Sequence, residues 1–360
     1  MNSNKLDFEL TKYALEVETG LNEEGFEWIG KFPKNRVEDM KKIVRVNSEG
    51  IEKTKVTPSN VIPAIPTLYN IDWTIDYGEL ERMLKVQKEA WIEWVLIAWT
   101  TWESSMLGEE EQIKYVQKAV EIASKLWLKV LAWSWSNSTK EQRVLTKWVF
   151  EAWADASLLL PPYYIKASDT DIIKHLVEWL NYWPAIIYSI FWRTGLKISS
   201  EVLEILSAHP NFLWVKECDW SQKISDLVNR WIRVWTWNDD KSISNIYLDW
   251  ACGSISVVCN IDPELILKIK EWINLTKLEV KKLLELSSLV FPEWQPNPKS
   301  IHNIMEMIRR WIDEGLNNIP ATFRLPCWPF DEIQQEYVSR ALSALWIKAK
   351  PFGNNYNLIS

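Results

Sequence analysis

Residues 185–219 read AIIYSIFWRTGLKISSEVLEILSAHPNFLWVKECD, and this stretch contains a complete strand–helix–strand pattern. Its two ends, AIIYSI (185–190) and FLWVKECD (212–219), are short runs rich in apolar residues. Between them, ISSEVLEILSAH (198–209) places apolar residues three and four apart, which is the spacing of an amphipathic helix. Two such strands joined by a helix run parallel, and near-continuous apolar strands indicate a sheet that is buried on both faces.

The same alternation repeats along the chain from about residue 60. Between the strand candidates lie amphipathic helical patterns. Eight such units predict an α/β fold, a closed (β/α)8 TIM barrel rather than an open doubly wound sheet. No phosphate-binding glycine loop follows the first strand, which weighs against a dinucleotide-binding fold. The eight strand candidates are residues 62–69, 94–100, 128–134, 156–162, 185–190, 212–219, 233–237 and 254–258.

The segments on either side of the barrel differ from it. Residues 1–58 are charged and low in strand signal, so we expect a small N-terminal extension, whose role the sequence does not reveal. The barrel is predicted over residues 59–285. After residue 260 the pattern becomes wholly helical, and residues 286–360 are expected to form a C-terminal helical appendage.

Composition excludes several classes of protein. The net charge of −7 and the charged fraction of 25% are those of a mildly acidic protein, and no Lys/Arg block suggests nucleic-acid binding. No segment is long and apolar enough to span a membrane, and the charged N-terminus predicts a cytoplasmic protein. The four cysteines and three histidines are scattered without metal-ligand spacing, so we expect no metal site and no cofactor.

The tryptophan and glycine contents are both unusual. The chain has 25 tryptophans and 10 glycines, whereas a usual share of about 7% predicts roughly 25 glycines. We hypothesise that most of these tryptophans are glycine in the natural protein, because a UGA codon assigned to glycine was read as tryptophan. The alternative is a genuinely tryptophan-rich chain. Trp148 and Trp235 are expected to be true tryptophans. Tryptophans at helix ends or turns, where glycine is usual, include Trp73, Trp91, Trp127 and Trp153.

Lys216 is the most unusual of the polar residues at the carboxyl ends of the predicted strands, where a TIM barrel carries its chemistry. It lies within an apolar strand. In one interpretation it faces outward between helices. In the other, it lies inside the barrel, where desolvation lowers the proton affinity of the amine and suits it to form a Schiff base. The other candidates at strand ends are Thr100, Thr101, Tyr163, Tyr164, Tyr188 and Arg193.

With tryptophan read as glycine, four motifs resemble the dihydrodipicolinate synthase family of pyruvate-dependent class I aldolases. They are GTTGESS at 99–105, PPYY at 161–164, IIYSIFGRTG at 186–195 and GVKE at 214–217. The resemblance covers about residues 60–350 and keeps the family order. It implies a TIM-barrel lyase that condenses pyruvate with L-aspartate 4-semialdehyde through a lysine Schiff base, in the diaminopimelate route to lysine. It also implies a homotetramer arranged as a dimer of dimers.

The resemblance assigns a role to each matching residue. Lys216 would form the imine with pyruvate, and Tyr188 would be the proton donor and acceptor. Thr100 and Tyr164 would complete a proton relay, with the second tyrosine lent across a dimer interface. The residues expected to bind substrate are Thr101, Arg193 and Ile255. The residues at which some members bind a regulatory lysine correspond to Asn137, Glu141 and Tyr163.

Two alternatives remain open. The chain departs from the family pattern at Ser189, Phe191 and Cys218, so another pyruvate-dependent aldolase or lyase, acting on N-acetylneuraminate or a 2-keto-3-deoxy sugar acid, is one alternative. Arg193 favours the synthase, because the other relatives bind hydroxyls rather than a carboxylate. The second alternative is a non-catalytic pseudoenzyme, since genuine indoles around the pocket would crowd it.

Overall fold

The computed structural model describes residues 34–97, 107–134, 136–218, 221–271, 275–292 and 298–359. The candidate residues Thr100 and Thr101 lie outside the described residues, as do the neighbouring Trp99 and Trp102.

The eight predicted strands form one parallel sheet with the order β1-β8-β7-β6-β5-β4-β3-β2. A bridge between Ala64 and Leu96 then places the end of β1 beside β2, where the Ile65 N–H donates to the Leu96 carbonyl at 3.0 Å. The sheet therefore closes on itself, and the predicted TIM barrel is confirmed. The strands are β1 (Val61–Pro63), β2 (Trp94–Ile97), β3 (Lys129–Trp133), β4 (Ala156–Leu159), β5 (Ala185–Ser189), β6 (Phe212–Glu217), β7 (Val234–Thr236) and β8 (Gly253–Ser256).

Helices follow the strands, and several begin at a side-chain cap that the sequence supplies. Ser168 and Asp171 form a reciprocal capping box at the start of α5, and Asp76 caps α2 by accepting from the Glu79 N–H at 2.9 Å. The barrel helices are α2 (Tyr77–Glu89), α3 (Glu109–Lys125), α4 (Thr139–Glu151), α5 (Asp169–Leu180), α6 (Phe191–Thr194), α7 (Ser200–Ser207), α8 (Ser221–Asn229), α9 (Ser242–Tyr247) and α10 (Pro263–Lys270).

Segments outside the barrel pack on its surface. Before β1, helix α1 (Lys34–Asn47) packs against α5 and α7. After α10 come α11 (Lys277–Val290), α12 (Pro298–Ile312) and α13 (Glu332–Ala344). The domain boundary predicted at residue 285 falls within α11.

The prediction of a wholly helical C-terminal region was wrong. Strands β9 (Ala321–Arg324) and β10 (Tyr356–Ile359) pair in parallel, on either side of α13 in the chain. Polar residues interrupt both short strands, ATFR and YNLI, so neither forms an apolar run that stands out from the helical patterns around it.

Five helices end at a tryptophan in the left-handed region, with φ between 58° and 65°. At the end of α2, the Trp91 N–H donates to the Lys88 carbonyl and the Ile92 N–H to the Gln87 carbonyl, both at 3.0 Å. This is the Schellman motif, in which the left-handed residue is usually glycine. The same pair of bonds ends α3, α4, α8 and α13. The five residues, called the cap tryptophans below, are Trp91, Trp127, Trp153, Trp231 and Trp346.

Two more tryptophans, Trp73 and Trp250, have φ of 72° and 61°. Seven of the nine non-glycine residues with positive φ in the described part of the chain are thus tryptophan. The cap tryptophans are also between 82% and 96% exposed, although their bulk would favour burial. These observations support the hypothesis that glycine occupies these positions in the natural protein.

Four buried tryptophans differ in whether the indole N–H has a hydrogen-bond partner. The indole N–H groups of Trp179, Trp214 and Trp237 are buried without a hydrogen-bond partner within the described ranges. Trp235, one of the two expected to be a true tryptophan, instead donates its indole N–H to the Ser59 carbonyl at 3.2 Å. Since buried polar groups are normally paired, Trp235 fits its site better than the other three do.

Candidate active site

Lys216 lies near the carboxyl end of β6 and is completely buried. It is paired in register with Tyr188 on β5, and its Nζ atom is 4.4 Å from the centre of the Tyr188 ring. On its other side, the Trp237 ring beyond β7 is 5.3 Å from Nζ. The amine therefore does not reach solvent between the helices, and the outward-facing interpretation of this lysine does not hold.

The environment of Lys216 favours its neutral form. Burial lowers the pKa of the amine from 10.5 to about 7. Cys218 raises this pKa, the positive charge of Arg193 lowers it, and Asp239 raises it, but burial is the largest effect. A substantial fraction of the amine is consequently unprotonated at neutral pH, as an amine nucleophile requires.

Tyr188 is the second buried polar residue at this end of the barrel. It has no exposed surface, and the register of β5 and β6 holds its ring against the amine of Lys216. A phenol in this position can exchange a proton with a group bonded to that nitrogen. The structure thus brings together the two residues on which the predicted chemistry most depends.

Arg193 lies on the short helix α6, immediately after β5, and its side chain is exposed. Thr194 fixes this turn, because its hydroxyl donates to the Ile190 carbonyl at 2.7 Å. Gly195, with φ of 67°, ends the helix. Arg193 is close enough for its charge to affect the pKa of Lys216. The predicted substrate-binding residue Ile255 is buried in β8, in register with Ile62 of β1.

Tyr164 lies apart from the buried pair within the single chain. Its side chain is 88% exposed, and its φ of 73° is unusual for a tyrosine. Its N–H donates to the Thr194 carbonyl at 3.1 Å, which ties the loop after β4 to helix α6. Backbone strain of this kind concentrates at functional sites.

Asn137, Glu141 and Tyr163 cluster at the ends of β3 and β4. Burial raises the pKa of Tyr163, the charge of Glu141 raises it further, and a hydrogen bond with the Asn137 backbone lowers it. Ser136 anchors the carboxylate of Glu141, with its hydroxyl donating to Oε2 at 2.6 Å. The three residues expected to bind a regulatory lysine are therefore neighbours.

Sequence reasoning missed Asp239, which follows β7 and is completely buried. Its Oδ2 atom accepts from the N–H groups of Val257 and Val258, at 2.9 and 3.0 Å, and so fixes the chain after β8. Burial raises the pKa of this carboxyl to about 6, although the bonds from Ser256, Val258 and Val257 lower it. The signal was available in the sequence, because WNDD at 237–240 places two acids at the end of a barrel strand.

The described residues contain neither a cluster of His, Cys, Asp and Glu suited to a metal ion nor a helix able to cross a membrane.

Like Asp239, the ion pair of Glu217 and Lys223 was missed by sequence reasoning. This pair is buried beside the site.

Comparison with known proteins gives consistent matches. The family model of the dihydrodipicolinate synthetase family matches residues 57–345. The chloroplastic 4-hydroxy-tetrahydrodipicolinate synthase 2 of Triticum aestivum is 30% identical over 296 residues, covering 82% of this chain and 74% of that protein. The 4-hydroxy-tetrahydrodipicolinate synthase of Methanococcoides burtonii is 32% identical over 296 residues, covering 79% and 97%. A crystal structure of the chloride-inhibited dihydrodipicolinate synthase of Acinetobacter baumannii complexed with pyruvate has a TM-score of 0.69 at 27% identity, covering 81% of this chain and 100% of that one.

Proposed function

The chain belongs to the dihydrodipicolinate synthetase family, and on that premise we propose that it condenses pyruvate with L-aspartate 4-semialdehyde to form 4-hydroxy-tetrahydrodipicolinate. It is a lyase of the Schiff-base class I aldolase type. The observation that carries the proposal is the buried amine of Lys216, with its lowered pKa, opposite Tyr188. The proposed role is in the diaminopimelate route to lysine, in the cytoplasm.

The proposed first half-reaction takes place between Lys216 and pyruvate. The neutral amine attacks the ketone carbon, and the ketone oxygen leaves as water with one proton from nitrogen and one from Tyr188, so that a protonated imine forms. The imine then withdraws electrons from the neighbouring methyl group, which loses a proton and becomes the nucleophilic carbon of an enamine. Tyr188, 4.4 Å from Nζ at its ring centre, would carry protons to and from these atoms, with Thr100 and Tyr164 as the relay.

The second half-reaction requires a group that holds aspartate semialdehyde while the enamine carbon attacks its aldehyde. We assign this role to Arg193, because a guanidinium binds a carboxylate through two parallel hydrogen bonds. Its position just beyond β5 places it near the amine of Lys216. Thr101 and Ile255 would contact the substrates as well.

Assembly and regulation belong to the same proposal. Tyr164 is 88% exposed in the single chain and is held in a strained conformation, as expected of a residue that acts in a neighbouring subunit. We therefore propose a dimer of dimers in which Tyr164 completes the relay of the adjacent subunit. The cluster of Asn137, Glu141 and Tyr163 would bind lysine as a feedback inhibitor.

An assay of the purified protein, made with glycine at the disputed tryptophans, tests the proposal. We expect it to consume pyruvate together with aspartate semialdehyde faster than it cleaves N-acetylneuraminate or a 2-keto-3-deoxy sugar acid. The R193A variant should raise the KM for aspartate semialdehyde at least tenfold, on the order of one lost charged hydrogen bond, and leave the KM for pyruvate almost unchanged. Faster cleavage of a sugar acid would instead support the other aldolases of this barrel.

One observation favours the non-catalytic alternative if the tryptophans are genuine. The Trp237 ring lies 5.3 Å from Nζ of Lys216, and Trp214 stacks on Trp235 with ring centres 3.9 Å apart. Such indoles occupy space that a substrate would need. The same assay on the tryptophan form and on the glycine form distinguishes the two cases, because only the glycine form should then be active.

A further inference from the structure

A buried ion pair lies next to Lys216 in the chain. Glu217 is the last residue of β6, and its side chain points to the opposite face of the strand from that of Lys216. Nζ of Lys223, on helix α8, is 3.0 Å from Oε2 of Glu217, and the two side chains are 9% and 0% exposed respectively. The pair therefore lies between the outer face of the barrel and helix α8.

Lys223 also connects β6 to β5. Its amine donates to the Ser189 hydroxyl at 2.6 Å, and Ser189 is paired in register with Glu217. The Cys218 N–H adds one more link between these strand ends by donating to the Ser189 carbonyl, and it also donates to Oε1 of its neighbour Glu217, both at 3.1 Å. One cation thus joins the last paired residues of two neighbouring strands.

The pair of Ser189 and Glu217 is adjacent, along the two strands, to the pair of residues that carries the proposed chemistry. Tyr188 pairs with Lys216 one position earlier than Ser189 pairs with Glu217. The β5–β6 pairing is irregular at its other end, where the register shifts between Ala185 and Ile186. The contacts of Lys223 consequently restrain the strand ends that set the distance between Tyr188 and Lys216.

We propose that Lys223 is a positioning residue for the Schiff-base reaction, acting through Glu217 and Ser189 to hold Tyr188 and Lys216 in their reactive arrangement. This inference rests on the proposed function.

The pair also has an electrostatic effect. Without Lys223, the buried carboxylate of Glu217 would lack its cation one residue from Lys216, and a nearby uncompensated negative charge favours the protonated amine. The other charges that affect Lys216 come from Cys218, Arg193 and Asp239, and these remain in place. Among the residues that the structure describes, Asp226 on the same helix also senses Lys223, whose charge lowers the pKa of that carboxyl.

The test compares the K223M variant with the parent glycine-form protein. We expect kcat to fall on the order of 10²-fold, as for a misplacement of reacting groups by about 1 Å, with little change in the KM for pyruvate. The acidic limb of the pH profile of kcat/KM for pyruvate, which reports the free amine of Lys216, should move to higher pH. K223R, which keeps the charge, should recover most of the loss. The matched control is K281M, which breaks the exposed pair with Glu285 and should leave kcat and its pH profile unchanged.

A double variant, E217Q/K223M, separates positioning from electrostatics and replaces K223M if that variant does not fold. It removes both charges, so the acidic limb should stay at the parent's pH while kcat remains low, because the link to Ser189 is lost. Parent-like kcat in a folded K223M or E217Q/K223M protein would overturn the inference. If the parent protein itself forms no pyruvate adduct, the result counts against the proposed function instead. Failure of the inference about Lys223 and failure of the proposed function therefore give different results.

Discussion

At the cap tryptophans, an indole side chain is attached to a backbone conformation that suits a residue without a Cβ atom. In the left-handed region the Cβ atom of an L-residue lies too close to the following carbonyl oxygen, at a cost of roughly 1–2 kcal/mol per residue. The side chains recover little of this cost by packing, because Trp231 is 96% exposed and Trp346 is 91% exposed. The strain is therefore uncompensated at these sites.

Replacing the five cap tryptophans with glycine should stabilise the protein. We expect the free energy of unfolding to rise by about 1 kcal/mol for each position, measured by urea denaturation, because the left-handed conformation is then free of strain. The control is W235G, which removes a buried side chain and its hydrogen bond to Ser59 and should destabilise. If all six changes destabilise equally, tryptophan is the better residue at the caps, which would contradict the glycine hypothesis.

Because burial lowers the pKa of Lys216, we expect the stability of the protein to depend on pH. Its pKa is about 7 in the folded protein and 10.5 when exposed, so between these pH values the unfolded chain binds the additional proton and stability rises with pH. Below pH 7 the amine is protonated in both the folded and the unfolded state. The loss of stability that comes from burying its charge then reaches its limit, at most about 5 kcal/mol. The K216M variant should therefore be inactive but more stable than the parent.

Urea unfolding at two pH values checks this expectation. The stability gained by K216M should be large at pH 7 and smaller at pH 9, because releasing the proton of the unfolded-state amine costs less free energy as the pH approaches 10.5. Equal stability of variant and parent at pH 7 would mean that the amine is not held in a desolvated site.

At the scale of elements, the closure of the barrel depends on a close approach between β8 and the residue before β1. A Cβ atom at Gly253 would lie 1.9 Å from the Asn60 carbonyl oxygen, which belongs to the backbone. The Ser254 N–H donates to that same oxygen at 2.8 Å. Two backbone segments that are joined by a hydrogen bond cannot separate to make room for a methyl group without losing that bond.

The G253A variant should consequently lose at least about 3 kcal/mol of stability, the sum of overpacking and a broken backbone hydrogen bond. Thermal unfolding followed by circular dichroism measures the loss. G108A is the control, because a Cβ atom at Gly108 would meet no atom within 4 Å. Similar melting temperatures for the two variants would show that the barrel closes less tightly at this point than the structure indicates.

The sequence predicted the barrel elements well because each strand is bounded by strong local signals. Predicted strand 156–162 ends at Leu159 in the structure, and the two prolines that follow cannot donate to a ladder. The predicted strand 62–69 is a three-residue strand, Val61–Pro63, since its own prolines interrupt the pairing. Strands β9 (ATFR) and β10 (YNLI) were missed because polar residues interrupt the apolar run by which the barrel strands were recognised.

At the scale of the whole molecule, the site combines residues that a sequence pattern can find with residues that only packing reveals. Lys216 and Tyr188 were predictable, because they lie in motifs at strand ends and parallel strands carry such residues to one end of the barrel. Lys223 was not, because a lysine on a helix next to polar residues usually lies at the surface. Its burial depends on the placement of α8, from which Lys223 reaches Glu217 of β6 and Ser189 of β5.

The most direct test of the account is reduction with borohydride in the presence of pyruvate. The protein made with glycine at the disputed positions should become irreversibly inactive, and peptide mapping should find the reduced pyruvate adduct on Lys216 alone. The K216M variant should remain unlabelled, and borohydride without pyruvate should leave the parent active. Absence of an adduct from the glycine form, or an adduct on another lysine such as Lys223, would contradict the assignment of Lys216 as the Schiff-base residue.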